Sequence, residues 1–151
     1  MNQSTPSLAA EIAALKEFYA ALNRNDIESA VKSFDALIAW MLPIDYPTGG
    51  NYQGLEAVKA LLSRSRANWA EGSCDPEKYF AAGDKIAVFI AVHVRLKTET
   101  EWRTGRHAAA WTFRNGKAIE MRIFDDTQQA LEWVGVNDSD GMDPRAAGTR
   151  S

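Results

Sequence analysis

The dipeptide Asn115-Gly116 constrains this chain more than any other feature. It separates two segments of strand length, 103–114 and 118–125, in which apolar residues alternate. A two-residue hairpin loop of the tightest kind needs φ > 0 at both central residues, and Asn-Gly tolerates that best. The two segments are therefore adjacent antiparallel strands. Upstream, 86–96 is a third alternating segment rich in β-branched residues, which favour a pleated, half-buried surface. Gly83-Asp84 makes a turn before it, polar residues 97–101 form a hairpin end after it, and 78–82 reads as a short strand. The second half of the chain is thus an antiparallel meander.

The first half has a different period. Leu8, Ile12, Leu15, Tyr19 and Leu22 recur every three or four residues, which is one stripe of an amphipathic helix, and Phe18 widens it. Asn23-Arg24-Asn25-Asp26 ends that helix, and Asp26 is placed to cap the next by accepting a free N–H. Ile27, Ala30, Val31 and Phe34 form the buried face of a second, shorter helix. Residues 38–42 are an apolar strand closed by Pro43, which cannot donate to a ladder. Residues 45–54 carry Pro47, Gly49 and Gly50 and read as a loop. A third helix spans 55–69, with Leu55, Val58, Leu61, Leu62 and Trp69 on one side, and 72–76 breaks it. Residues 127–134 form a last helical turn or two. Helices followed by a meander predict an α+β fold, helices packed on one face of a curved, mostly antiparallel sheet. The 151 residues suit one domain, read here as 8–135 between a flexible lead-in, 1–7, and a flexible tail, 136–151.

Composition narrows the function classes. A chain that is 46% hydrophobic and 25% charged, with five Trp, is neither disordered nor fibrous. It has no apolar run of roughly 20 residues that would span a membrane, and its first residues lack a signal-peptide pattern, so a cytoplasmic protein without membrane contact is expected. A net charge of −3 argues against nucleic acid as partner. Cys74 is the one cysteine, so no disulfide framework exists. His93 and His107 lie in no zinc-ligand spacing, and no Gly-rich phosphate loop is present, so neither metal nor cofactor is expected.

Strand alternation assigns faces. In 86–96 the set Ile86, Val88, Ile90, Val92, Val94 and Leu96 is wholly apolar and points inward. Ala87, Phe89 and Ala91 on the opposite face are too apolar for free solvent, which predicts a covered outer surface and a homodimer through it; His93 and Arg95 continue that face as interface or surface groups. His107, Ala109, Trp111 and Phe113 share an inward stripe, as do Ile119, Met121, Ile123 and Asp125. His107 and Asp125 sit at the ends of these stripes, where a pocket mouth holds polar groups. A histidine exchanges protons near neutrality, and apolar neighbours can raise a carboxyl into the same range, so these two are the candidate catalytic pair. Trp40, Trp111, Met121 and Ile123 are the candidate ligand-binding residues on the strands, with Tyr19 from the first helix. Tyr46, Tyr52 and Trp69 come from loop and helix-end positions that can close over a ligand.

Several of these motifs resemble one family. Phe18-Tyr19-Ala20-Ala21-Leu22-Asn23-Arg24-Asn25-Asp26 is similar to the first-helix ending of the nuclear transport factor 2-like superfamily, which includes ketosteroid isomerases and SnoaL-like polyketide cyclases. Tyr52-Gln53-Gly54 resembles its loop-Gly-helix entry. The segments from Trp111 to Lys117 and from Glu120 to Thr127 resemble its last two strands. The resemblance implies a cone-shaped α+β barrel of the cystatin-like kind, a pocket between the concave sheet face and the helices, and dimerisation through the convex face. It also implies an isomerase, cyclase or lyase that acts on an apolar or aromatic substrate by proton transfer, without a cofactor. The alternatives are a non-catalytic binding protein for a hydrophobic small molecule and a dimeric interaction module. The steroid isomerase pattern itself is absent: Leu42 stands before Pro43 where that family has its Asp base, Phe18 where it has Tyr, and Ala109 where it has a second acid.

Overall fold

The computed structural model describes residues 8–46 and 49–136. The chain begins with helix α1 (Ala9–Asn23) and a single helical turn, α2 (Ile27–Ala30). Strands β1 (Phe34–Leu42) and β2 (Gly50–Gln53) precede helix α3 (Leu55–Ala67). Four long strands follow, β3 (Trp69–Ala82), β4 (Lys85–Leu96), β5 (Arg103–Arg114) and β6 (Lys117–Phe124), and then helix α4 (Thr127–Val134). The six strands form one sheet in the order β2-β1-β6-β5-β4-β3. All neighbours are antiparallel except β1 and β6, which are parallel. The sheet has two edges, β2 and β3, and is not closed. Among the described residues, no helix is long and apolar enough to cross a membrane.

Local chemistry explains most boundaries. Asp26 accepts the Ser29 N–H at 3.2 Å and starts α2, and Asp126 accepts the Gln128 N–H at 2.9 Å and starts α4. Asn115 (φ 54) and Gly116 (φ 78) both take the positive φ that the tight hairpin between β5 and β6 requires. One face of the sheet carries the main core. Phe18 of α1, Val58 and Leu61 of α3, and Ile38, Ile86, Val88, Trp111 and Met121 of the sheet are buried there together. Residues 1–7, read as a lead-in, lie outside the described residues, as does the tail after 136. Val136 itself is buried at the end of α4.

Five expectations are corrected. Phe34 is the first residue of β1 and not the end of a second helix, because it pairs across the sheet with Ala118. The predicted loop 45–54 contains β2, which pairs with Ala39 to Leu42 at the sheet edge. Trp69 belongs to β3 and not to the third helix. The supposed break at 72–76 is the middle of β3. That strand is an edge with irregular register before Glu71 and before Lys78, and an edge or bulge is where a strand tolerates Gly and Pro. Gly72 has φ +121, and a Cβ there would lie 2.1 Å from the His93 carbonyl oxygen, so glycine permits the close approach. Ile119 does not share a face with Met121. The register of β5 and β6 shifts between Thr112 and Phe113, so Ala118 turns into the core in its place.

The outer face of the sheet is covered in part by the chain itself. Leu131, Val134 and Val136 pack on Phe80, Ala87 and Ala110, a second apolar cluster separated by the sheet from the first. Phe89 and Phe124 sit half-buried at its margin, and Ala91 beyond it. Further along the same face, His93 is exposed and stacks on Trp102 with ring centroids 4.3 Å apart, and Arg95 pairs with Glu71 at 3.0 Å. Helix α4 thus accounts for the small apolar residue Ala87 on the supposedly solvent side.

Candidate functional site

Register aligns the central pocket wall. Trp40 of β1, Met121 of β6 and Trp111 of β5 are direct cross-strand partners in one row on the inner face. Phe18 of α1 stands over that row, with its ring centroid 6.1 Å from Trp40 and 5.3 Å from Trp111, both edge-on. Trp40 and Trp111 meet edge-to-face at 5.6 Å. Edge-to-face contacts place positive ring edges against negative faces, so the wall is mutually fixed rather than loosely packed. Beside it lies a cavity of about 270 Å³. Its other walls come from Leu61 and Leu62 of α3, Cys74 of β3 and Ile90 of β4.

Polar groups are few and placed at separate points. Tyr19 is buried on α1, lines the cavity and accepts a hydrogen bond from the Trp111 Nε1–H, at 3.4 Å. Burial pushes the Tyr19 hydroxyl pKa well above that of an ordinary phenol. Cys74 lines the cavity too, and burial, reinforced by the Asp75 charge, pushes its thiol up to about 12. The Asn23 side chain bonds both the Cys74 N–H and C=O, each at 2.9 Å, and so ties the end of α1 to β3. Arg66 donates to the carbonyls of Leu22 and Asn23, each at 2.8 Å, and lies 4.7 Å from the Trp69 ring centre. The guanidinium therefore closes the end of α1 and orients Trp69 on the cavity wall.

His107 lies near the start of β5, paired with Ile90, and lines the cavity. Burial lowers its pKa below the ordinary 6.5, partly opposed by the nearby Asp125 charge. Burial therefore favours the neutral imidazole, which carries a lone pair on one ring nitrogen. Asp125 is exposed, one residue past β6, and accepts the Tyr46 hydroxyl at 2.7 Å. Burial first, then the carboxylate, holds Tyr46 protonated far into the alkaline range.

The structure therefore brings Tyr19, Trp40, Tyr46, Trp69, His107, Trp111, Met121 and Ile123 to one cavity. Asp125 joins them at the mouth through Tyr46 and is not a wall residue. Tyr52 is elsewhere: it is the β2 partner of Trp40 and packs half-buried against the core. Phe18, Cys74 and Ser65 are lining residues that sequence reading missed. For Cys74 the cause is plain, because its segment was read as a break. Alternation counted back across the second irregularity of β3 would have been needed to turn it inward. Among the described residues, no three His, Cys, Asp or Glu side chains gather as a metal site.

An open, mostly antiparallel sheet wrapped by N-terminal helices, with an apolar pocket between them, defines the nuclear transport factor 2-like class of α+β domains. Within it the chain belongs to the SnoaL-like domain family, whose model matches residues 15–121. Similar solved structures include an NTF2-like protein of unknown function from Burkholderia pseudomallei K96243, with 21% identity and a TM-score of 0.70, covering 85% of this chain and 99% of that one. TerC, co-crystallised with polyporic acid, is similar with 26% identity and a TM-score of 0.69, over 83% of this chain and 98% of its own. A protein described as a SnoaL-like polyketide cyclase from Mesorhizobium loti is similar with 24% identity and a TM-score of 0.60, over 76% and 97%. No curated protein matches the chain.

Proposed function

We propose that the protein binds a largely aromatic small molecule in this cavity and moves a proton on it with His107 as the base. The observation that carries the reading is the His107 imidazole on the wall of a largely apolar cavity, where burial disfavours its charged form. A general base works best when its pKa lies near the working pH. Rings of Trp40, Trp111 and Phe18 supply a rigid apolar surface for a flat ligand. Asp125 at the mouth, which accepts the Tyr46 hydroxyl, supplies a charge that stabilises the imidazolium once formed. Family membership and the co-crystallisation of TerC with polyporic acid are in keeping with a small-molecule pocket.

A second reading is a binding protein without chemistry. It is favoured by one specific observation: Asp125 is exposed and engaged with Tyr46, not hydrogen-bonded to His107. Deuterium exchange separates the two. Aryl ketones such as 2-acetylnaphthalene, incubated with the protein in D₂O, exchange their α-hydrogens if a bound base removes them. Proton NMR should show faster exchange with the native protein, lost by at least about 100-fold in His107→Gln. Binding without exchange leaves the binding reading. No binding at all removes both.

We further propose a homodimer through the outer sheet face beyond α4, where Phe89, Ala91 and Phe124 remain half-exposed. A monomer by static light scattering at tens of micromolar would overturn it. Residues 8–135 as the folded unit and a cytoplasmic setting complete this reading.

A further inference from the structure

Two side chains at the cavity mouth compete for one carboxylate. The β5–β6 ladder pairs Ala109 with Ile123 and Ala108 with Phe124. The next step of that register, one residue past β6, sets Asp125 across from His107. The Asp125 charge acts on the imidazole, but its carboxylate accepts the Tyr46 hydroxyl, at 2.7 Å. Tyr46 reaches it from the connection between β1 and β2 and lines the same cavity as His107. The other groups that line the cavity bring no competing charge. Burial holds Tyr19 of α1 and Cys74 of β3 protonated, and Ser65 of α3, Ile90 of β4 and Ile123 of β6 do not ionise. Arg106, beside His107 in the chain, alternates to the other face of the sheet and pairs there with Glu77 of β3, at 2.8 Å. Asp45, beside Tyr46, acts on the Tyr46 hydroxyl less than Asp125 does.

We propose that Tyr46 is a positioning residue for the base: by holding the Asp125 carboxylate it keeps that group from pairing with His107 until the imidazole has taken a proton, and the carboxylate then changes partners. The inference rests on His107 as the base, as read above, and adds what sets its charge state. While the imidazole is neutral, both donors are uncharged and the Tyr46 hydroxyl has the carboxylate. An imidazolium brings a full positive charge to its N–H donors, so an ion pair replaces a bond from a neutral phenol. The proton on His107 comes from the ligand, and none passes between Tyr46 and Asp125. The mouth is wet, because Asp125 is exposed, so water takes the hydroxyl that Asp125 gives up. Without Tyr46, the carboxylate is free to favour the protonated imidazole before any ligand arrives. A protonated imidazole has no lone pair left to act as a base.

The test reads His107 directly and needs no ligand. The ring C–H signals of the two histidines are followed by NMR from pH 4 to 8, with His93→Gln to tell them apart. Tyr46→Phe should raise the His107 titration midpoint by about one pH unit, because the freed carboxylate favours the imidazolium. Asp125→Asn keeps an acceptor for Tyr46 but removes the charge, and should lower the midpoint below that of the native protein. In the Asp125→Asn background, Tyr46→Phe should change nothing, since Tyr46 acts only through the carboxylate. A merely loosened mouth would admit water and raise the midpoint in both backgrounds. An unchanged midpoint in Tyr46→Phe, or an equal rise with Asp125→Asn present, overturns this proposal and leaves His107 standing as the proposed base. No deuterium exchange of the aryl ketone by the native protein overturns the base reading, whatever the midpoints do, and with it the role given to Tyr46.

Discussion

The Tyr46 hydroxyl donates to Asp125 Oδ1 at 2.7 Å, joining two residues 79 positions apart in the chain. Tyr46 sits on the connection between β1 and β2, held in a turn by its N–H to the Pro43 carbonyl at 3.0 Å. Asp125 follows the last residue of β6. One hydrogen bond thus fastens the connection to the end of the parallel neighbour of β1, at the mouth of the cavity. Because Asp125 is exposed, water can replace the tyrosine. Tyr46→Phe should therefore cost no more than about 1 kcal/mol in urea unfolding. A larger loss would show that the bond organises more than the mouth.

His107 makes the stability depend on acid. Its folded-state pKa lies below the ordinary value of 6.5, so the unfolded chain binds the proton more readily. The contribution to stability is complete above about pH 6.5 and is lost as pH falls through the window below it. His107→Gln removes that term. Melting temperatures from pH 5 to 8 should show the native protein losing stability relative to the variant below pH 6.5, and no relative change above it. A parallel pair of curves would contradict a buried neutral imidazole.

Gly72 and Gly83 both adopt positive φ, but only Gly72 is crowded. Gly83→Ala meets nothing within 4 Å and should cost about 1–2 kcal/mol, the strain of left-handed backbone. Gly72→Ala places its Cβ against the His93 carbonyl and must in addition push β3 away from β4. Its loss in urea unfolding should exceed that of Gly83→Ala by more than about 1 kcal/mol. Equal losses would mean that the edge strand yields freely.

Cys74 lines the cavity yet has its thiol pushed up to about 12. The thiolate is the reactive form, so very little is present at pH 8. A disulfide reagent such as 5,5′-dithiobis(2-nitrobenzoate) should modify the folded protein far more slowly than the urea-unfolded chain. Similar rates in both would refute the burial of this thiol.

Much of the architecture follows from local sequence. The stripe from Leu8 to Leu22 specifies α1, Asp26 and Asp126 specify caps, and Asn115-Gly116 specifies the β5–β6 hairpin, because each depends only on neighbours within a few residues. The inward stripe His107, Ala109, Trp111 and Phe113 is equally legible, since alternation alone sets which face a strand residue takes. What alternation cannot register is an extra residue. The irregularity opposite Thr112 and Phe113 turned Ala118 inward instead of Ile119, and those in β3 hid both the strand and the cavity position of Cys74. The β2 edge and the placement of α4 on the outer face likewise rest on pairings and packing between distant segments. The sequence by itself determined the order of the elements, their caps and their apolar faces. Only the tertiary structure decided which residues meet. The Trp111–Tyr19 and Tyr46–Asp125 contacts span 92 and 79 positions, and such contacts depend on register and helix placement that no local signal encodes.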